Sequence, residues 1–185
     1  MKNPPKRRVS KGEWLARALE VLRSEGFQGI RVERLARDLG IAKAGFYWHF
    51  RDRRDLMQSL LDHWTRESTA VVTENPELVE GDPEKRLYKT MVVILDRDLA
   101  KYDLAIRDWA ARDPDAAKAI RLVYRKRLEF VRGIFSDLGF RGQQLEMRTR
   151  LLVCYHSWEQ TMFEDSPKEE RHKLLRLRLK LLVTK

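Results

Sequence analysis

Gly26–Leu56 reads GFQGIRVERLARDLGIAKAGFYWHFRDRRDL, and its punctuation decides the fold. Val32, Leu35, Ala36 and Leu39 recur at helical spacing over residues 31–39. Gly40 then stands where a helix stops. A short apolar and aromatic segment, Ile41–Phe50, follows at once. Two short helices about a glycine turn are what a helix-turn-helix needs, because the chain must reverse within about four residues. The second helix of such a pair lies in the DNA major groove, with its first residues at the base edges. Here it is Ala42–Trp48, and the small Ala42, Ala44 and Gly45 let the backbone come close. Lys43 reaches a phosphate or a guanine. Tyr47 and His49 donate to phosphate oxygens, and Arg53, in the first turn of the next helix, lies near the same strand. Phe46 and Phe50 share a face and read as core. Trp48 is offset from them and has two readings, DNA contact or packing on the following helix.

Upstream, residues 11–25 place Trp14, Leu15, Ala18, Leu19 and Leu22 on one face, and Gly26 closes that helix. Lys6, Arg7 and Arg8 precede it and stand ready for a neighbouring groove or backbone. Residues 1–64 hold fourteen Lys and Arg against eight Asp and Glu, more than half of the +10 net charge of the 185-residue chain. Such a local excess points to a polyanion partner, against the plainer reading of a solvated basic surface. No hydrophobic segment follows the basic N-terminus, so no signal peptide is expected. No apolar run approaches the ~18 residues of a membrane span. A cytoplasmic, nucleoid-associated protein fits, and the single cysteine, Cys154, agrees. Cys154 reads as a buried small apolar residue.

Downstream the chain stays helical, which makes the fold all-α with about nine helices. Asp52 and Asp55 resemble a capping box and open a helix over 52–73. The segment 74–83, ENPELVEGDP, is the clearest break. Helices are expected over 83–100, 103–112, 115–137, 143–164 and 168–183, the last with Ser166 as its N-cap. Two domains follow: a helix-turn-helix domain, 1–55, and a helical regulatory and dimerisation domain, 56–185. In the second, Met91, Tyr102, Trp109, Tyr124, Tyr155, His156, Trp158 and Met162 are candidates for an apolar pocket with polar handles, although most of them must serve as core. The last helix carries leucines on nearly all sides, which suggests a subunit interface. Leu151, Leu174, Leu177 and Leu181 are its candidate residues.

The stretch Gly26–Leu56 resembles the tetracycline-repressor (TetR) family. Gly26-Phe27, Leu39-Gly40-Ile41 and Phe46-Tyr47-Trp48-His49-Phe50 match its pattern in order and spacing. The resemblance implies a homodimer on double-stranded DNA at a palindromic operator, with the last two helices pairing across subunits. It also implies an unidentified small molecule in the second domain that changes the spacing of the two heads, most often in a repressor. Lys43, Tyr47 and His49 carry over as DNA contacts, and Arg53 falls where the family has a phosphate-contacting lysine. Gly45 falls where a small residue admits the helix to the groove. Departures occur at Ile30-Arg31, where the family often has Thr-Thr and where Arg31 replaces a hydroxyl contact by charge. Ala42 replaces the serine that opens the recognition helix, Ala44 a glycine, and Arg53-Arg54 a Lys-Glu pair.

Catalysis finds no support in the sequence. There is no Gly-x-Ser-x-Gly elbow, no phosphate loop and no metal box. His49, His63, His156 and His172 show no ligand spacing, so neither metal nor cofactor is expected. The alternative to a ligand-responsive regulator is an architectural DNA-binding protein with a filled interior and no ligand.

Overall fold

The computed structural model describes residues 8–184. Among these the chain forms nine α-helices and two 3-10 segments. The helices are α1 Lys11–Glu25, α2 Val32–Asp38, α3 Arg53–Thr73, α4 Pro76–Val79, α5 Pro83–Asp96, α6 Asp103–Ala110, α7 Pro114–Asp137, α8 Gly142–Met162 and α9 Lys168–Val183. The 3-10 segments are Phe27–Gly29 and Lys43–Trp48. The all-α expectation holds. The chain divides into two compact units. One holds the described residues up to Trp64 together with Ala105–Ala119; the other holds Thr65–Leu104 and Ile120 onward. The expected division at residues 55 and 56 falls inside α3.

The first unit is built on aromatic packing. Trp14 of α1 is fully buried and meets Phe46 and Phe50 edge-on, at ring-centroid distances of 5.5 and 6.5 Å. Burying each such ring stabilises by about 1.5–3 kcal/mol. Ser10 starts α1 with a capping box: the Glu13 amide donates to Ser10 Oγ, and the Ser10 amide donates to Glu13 Oε2 at 2.8 Å. Gly26, at φ 71°, ends α1 and donates its amide to Leu22 O. Gly40, at φ 69°, makes the turn after α2 in a conformation an L side chain rarely adopts.

The second unit packs α5, α7, α8 and α9 around Leu87, Met91, Ile134, Phe135, Leu152 and Leu175. Helix α5 runs along α9. Three expectations need correction. Residues 74–83 contain a short helix, α4, which Asn75 caps by accepting from the Glu77 amide while Pro76 takes the first position. Helix α5 ends at Asp96, four residues early, because Asp98 turns to φ 52°. Ser166 does not cap α9; Pro167 occupies that position and its carbonyl receives the Glu170 and Arg171 amides. No described helix is long and apolar enough to cross a membrane.

Candidate nucleic-acid interface

The segment Lys43–Trp48 is a 3-10 turn rather than an α-helix. Ala42 has the extended backbone of an N-cap but no side-chain oxygen to receive an amide, and Arg31 stands without a capping group before α2. The segment is anchored from beneath. Phe46 and Phe50 are buried 5.1 Å apart and hold it on α1. A Cβ on Gly45 would stand 3.1 Å from Ile41 Cδ1, so that side chain would have to give by a few tenths of an ångström.

With those anchors inward, the outer face is fixed. Tyr47 is 59% and Trp48 86% exposed, so Trp48 does not pack on α3. Arg31, Ala42, Lys43 and Ala44 are exposed beside them, while Gly45 and His49 are half-buried. Tyr47 and Trp48 thus put two adjacent aromatic side chains into solvent on one turn. The Lys43 ammonium lies 2.6 Å from Glu33 Oε1. That carboxylate, hydrogen-bonded to Lys43, is held below its usual range, and Lys43 is raised in turn. The pair is exposed, so a phosphate can displace Glu33 at little cost.

Two other candidates are engaged inside the head. His49 Nε2 lies 2.7 Å from Val9 O and clasps the entry to α1. Arg53 donates from Nε to Ile30 O at 2.9 Å and from NH2 to Phe27 O at 3.0 Å, which secures the turn between α1 and α2. Arg8 is exposed, whereas Lys6 and Arg7 lie outside the described residues.

The sequence reading missed a clamp between α1 and α2. Arg17 donates to Asp38 at 2.6 Å, and Arg34 bridges Asp38 and Glu25. Hydrogen bonds from Arg17 first, and then from Arg34, hold the Asp38 carboxyl below its ordinary value. Part of the local basic charge is therefore structural. Opposite charges on facing helices were the available signal, but only the turn geometry pairs them.

The second unit holds a partly open cavity of about 40 Å³. Its walls come from α3, α5, the turn after α5, α7 and α8, with Val72, Ile94, Leu99, Phe130 and Leu152 among the apolar lining. Ser68, Thr90, Arg127, His156 and Ser157 are the polar residues at its edge. Of the eight candidates for a pocket, His156 alone borders it. Met91 is buried in the core, and Trp109 belongs to the first unit, stacked 6.2 Å from Phe27. Tyr102 and Tyr124 are half-buried away from the lining. Tyr155 lies under the Arg178 guanidinium at 3.7 Å, and Trp158 and Met162 are exposed.

Behind the cavity His156, Glu159 and Arg178 form a buried network. Arg178 donates to Glu159 Oε1 at 2.9 Å, and His156 Nδ1 lies 3.3 Å from Glu159 Oε2. Burial lowers the His156 imidazole and keeps it neutral. Burial alone would raise Glu159, but the hydrogen bonds from His156 and Arg178 outweigh it and bring the carboxyl down to about 2. On the outside of the unit, Met147, Leu151, Trp158 and Met162 of α8 and Leu174, Leu177 and Leu181 of α9 are exposed large hydrophobic residues. Cys154 is also exposed, against expectation, between Leu151 and Trp158.

These features agree with what the chain resembles. The family described as bacterial regulatory proteins, tetR family, matches residues 15–60. The class C tetracycline repressor protein of Escherichia coli is 40% identical over 45 residues, which is 24% of this chain and only 20% of that repressor's length. A transcriptional regulator from Rhodococcus sp. Rha1 shares the fold with a TM-score of 0.71 at 19% identity, covering 95% of this chain and 94% of its own. FadR from Bacillus subtilis, solved in complex with stearoyl-CoA, gives 0.69 at 17% identity over 95% of this chain and 98% of its own. Residues 15–60 of this chain are thus similar to the tetR family of bacterial regulatory proteins, and the likeness over the remaining length is one of fold.

Proposed function

We propose that the protein is a homodimeric, ligand-responsive transcriptional repressor that binds a palindromic operator and works in the cytoplasm on the nucleoid. The observation that carries this reading is the exposed pair Tyr47 and Trp48 on a segment anchored by buried Phe46 and Phe50. The segment enters the major groove with Ala42, Lys43 and Ala44 leading. Lys43 leaves Glu33 for a phosphate or a guanine, Tyr47 donates to a phosphate, and Trp48 packs on the sugar-phosphate edge. Arg31 adds a charge contact at the start of α2. Arg53 and His49 chiefly hold the reading surface in position.

The exposed faces of α8 and α9 support dimerisation. Leu151, Leu174, Leu177 and Leu181 lie on them, and Leu181 is 70% exposed. Large apolar side chains exposed on two helices of one unit fit an interface. The cavity in the same unit is the place for an effector, and it speaks against an architectural protein with a filled interior. The chain performs no catalysis in this reading.

Three variants test the account. Lys43→Ala should weaken DNA binding and reduce the slope of log K against log salt by about 1, with the fold intact. Trp48→Ala should weaken it as well. Leu181→Glu should yield monomers by sedimentation. Unchanged DNA affinity in both Lys43→Ala and Trp48→Ala would remove the assigned reading surface.

A further inference from the structure

The other ion pairs described in the first unit are local braces. Arg17 and Arg34 clamp α1 to α2 through Asp38, whose side chain is only 17% exposed. Arg51 meets Asp55 one turn on, and that carboxylate also receives the Arg51 amide. The Glu33–Lys43 pair is different. Its side chains are 67% and 49% exposed, with the ammonium 2.6 Å from Glu33 Oε1. So open a pair adds little to stability. It joins the first turn of α2 to the first residue of the reading segment. A carboxylate therefore stands on the face that meets DNA, where phosphates repel it.

The major groove offers that carboxylate a partner that the backbone does not. Cytosine N4 and adenine N6 donate hydrogen bonds there. Glu33 is acceptor-only at neutral pH, because the hydrogen bond from Lys43 holds its carboxyl below the usual range. Lys43 is donor-only. On a G·C pair, guanine N7 and O6 are adjacent acceptors, and the cytosine N4 donor stands beside them. On an A·T pair the one donor lies between two acceptors, and the far end is the thymine methyl. An ammonium and a carboxylate side by side match the first pattern: the ammonium takes both guanine acceptors while the carboxylate takes the cytosine amine. A phosphate contact by Lys43 would instead turn Glu33 toward the backbone.

We propose that Glu33 is a base-reading residue, and that with Lys43 it selects a G·C pair at one fixed position of each operator half-site, Lys43 on guanine O6 and N7 and Glu33 on cytosine N4. This assignment rests on the reading of the head as an operator-binding surface, and it chooses guanine over phosphate for Lys43.

The test uses the full-length protein and its Glu33→Ala, Glu33→Gln and Lys43→Ala variants, each checked for helical content by circular dichroism. Randomised duplexes are selected on the wild type at near-physiological salt. The affinity of every protein is then measured for the selected duplex and for its single-pair variants. The expected wild-type result is an inverted repeat with a fixed G·C pair in each half-site, whose replacement by A·T weakens binding about tenfold. In Glu33→Ala and Glu33→Gln that penalty should shrink to about twofold while the penalties at other positions persist. In Lys43→Ala it should shrink at the same position. Glu33→Ala should also bind unmatched duplexes more tightly than the wild type, since a repelled carboxylate is gone. A penalty that stays whole in both Glu33 variants, with affinity raised alike for all duplexes, would make Glu33 a mere tether for Lys43 and overturn the proposal. So would half-sites without a fixed G·C pair, or a loss at different positions in the Glu33 and Lys43 variants. In each of these cases the operator-binding reading stands. Uniform recovery of all duplexes by the wild type would overturn that reading as well.

Discussion

The two units of this protein differ in what they bury. The first unit has a dense aromatic interior of Trp14, Phe46 and Phe50, and every ion pair described in it is solvent-exposed or half-exposed. The second unit buries Asp103, Glu159 and His156 within its helices and leaves a cavity beside them. Meanwhile it shows leucines to solvent on α9. The difference fits the roles proposed for the two units. A surface that reads a polyanion needs a rigid floor and exposed cations. A unit that takes a guest inside needs imperfect packing, with the charges around the hole already neutralised.

The contrast can be tested by substitution. The largest effect is expected for Phe46→Ala. It removes the floor beneath the reading segment and should cost about 3–5 kcal/mol in urea unfolding, with loss of DNA binding. Loss of DNA binding without loss of stability would mean that Phe46 is a contact and not a floor.

Next is Glu159→Gln, which should cost about 3 kcal/mol at pH 7 because Arg178 loses its buried countercharge. The sign of the pH dependence is set by both buried groups. His156 and Glu159 have folded pKa values below their ordinary 6.5 and 4.5. The unfolded chain therefore binds more protons, and stability falls as pH falls, first below the ordinary histidine value and then from about 4.5 toward 2. In the variant Glu159's share of this second loss should vanish, while lowered carboxylates such as Asp38 and Asp96 keep theirs. A wild-type unfolding midpoint that stays flat between pH 7 and 3 would contradict the assignment.

A smaller gain is expected from Ala42→Ser. It restores an N-cap oxygen at a residue whose φ of −70° and ψ of 145° already suit one. The gain should be about 0.5–1 kcal/mol. The smallest effect is Arg17→Ala, about 0.2–1 kcal/mol in stability, since the Asp38 clamp is partly solvated and Arg34 remains. A loss near that of Glu159→Gln would erase the distinction between the outer and inner ion pairs.

The same contrast governs what the sequence disclosed. Helix bounds were legible wherever periodicity met a stop residue. Helix α1 ends at Glu25 before Gly26, and α7 ends at Asp137 before Leu138-Gly139. The reading segment was legible because Phe46 and Phe50 share one face, which leaves Tyr47 and Trp48 outward. Its 3-10 form was hidden, although the missing hydroxyl at Ala42 was in view. Helix α4 was missed because Pro and Gly read as a break, while Asn75-Pro76 is also a helix start. The cavity was illegible for a deeper reason. Aromatic residues mark where volume is filled, whereas a hole is the residue of packing among helices far apart in sequence. Ser68, Thr90 and Arg127 carry no local sign that they meet there. The leucines of α9 were informative, because a helix apolar on all sides must be covered by something.

The most direct test is to select fragments of the organism's own genome on the purified protein at near-physiological salt and to sequence what is retained. The account predicts one or a few enriched fragments that contain an inverted repeat, lost when Lys43 and Trp48 are both replaced by alanine. Uniform, salt-sensitive recovery of all fragments would contradict it. The basic head would then bind backbone alone, and the exposed Tyr47 and Trp48 would read no sequence.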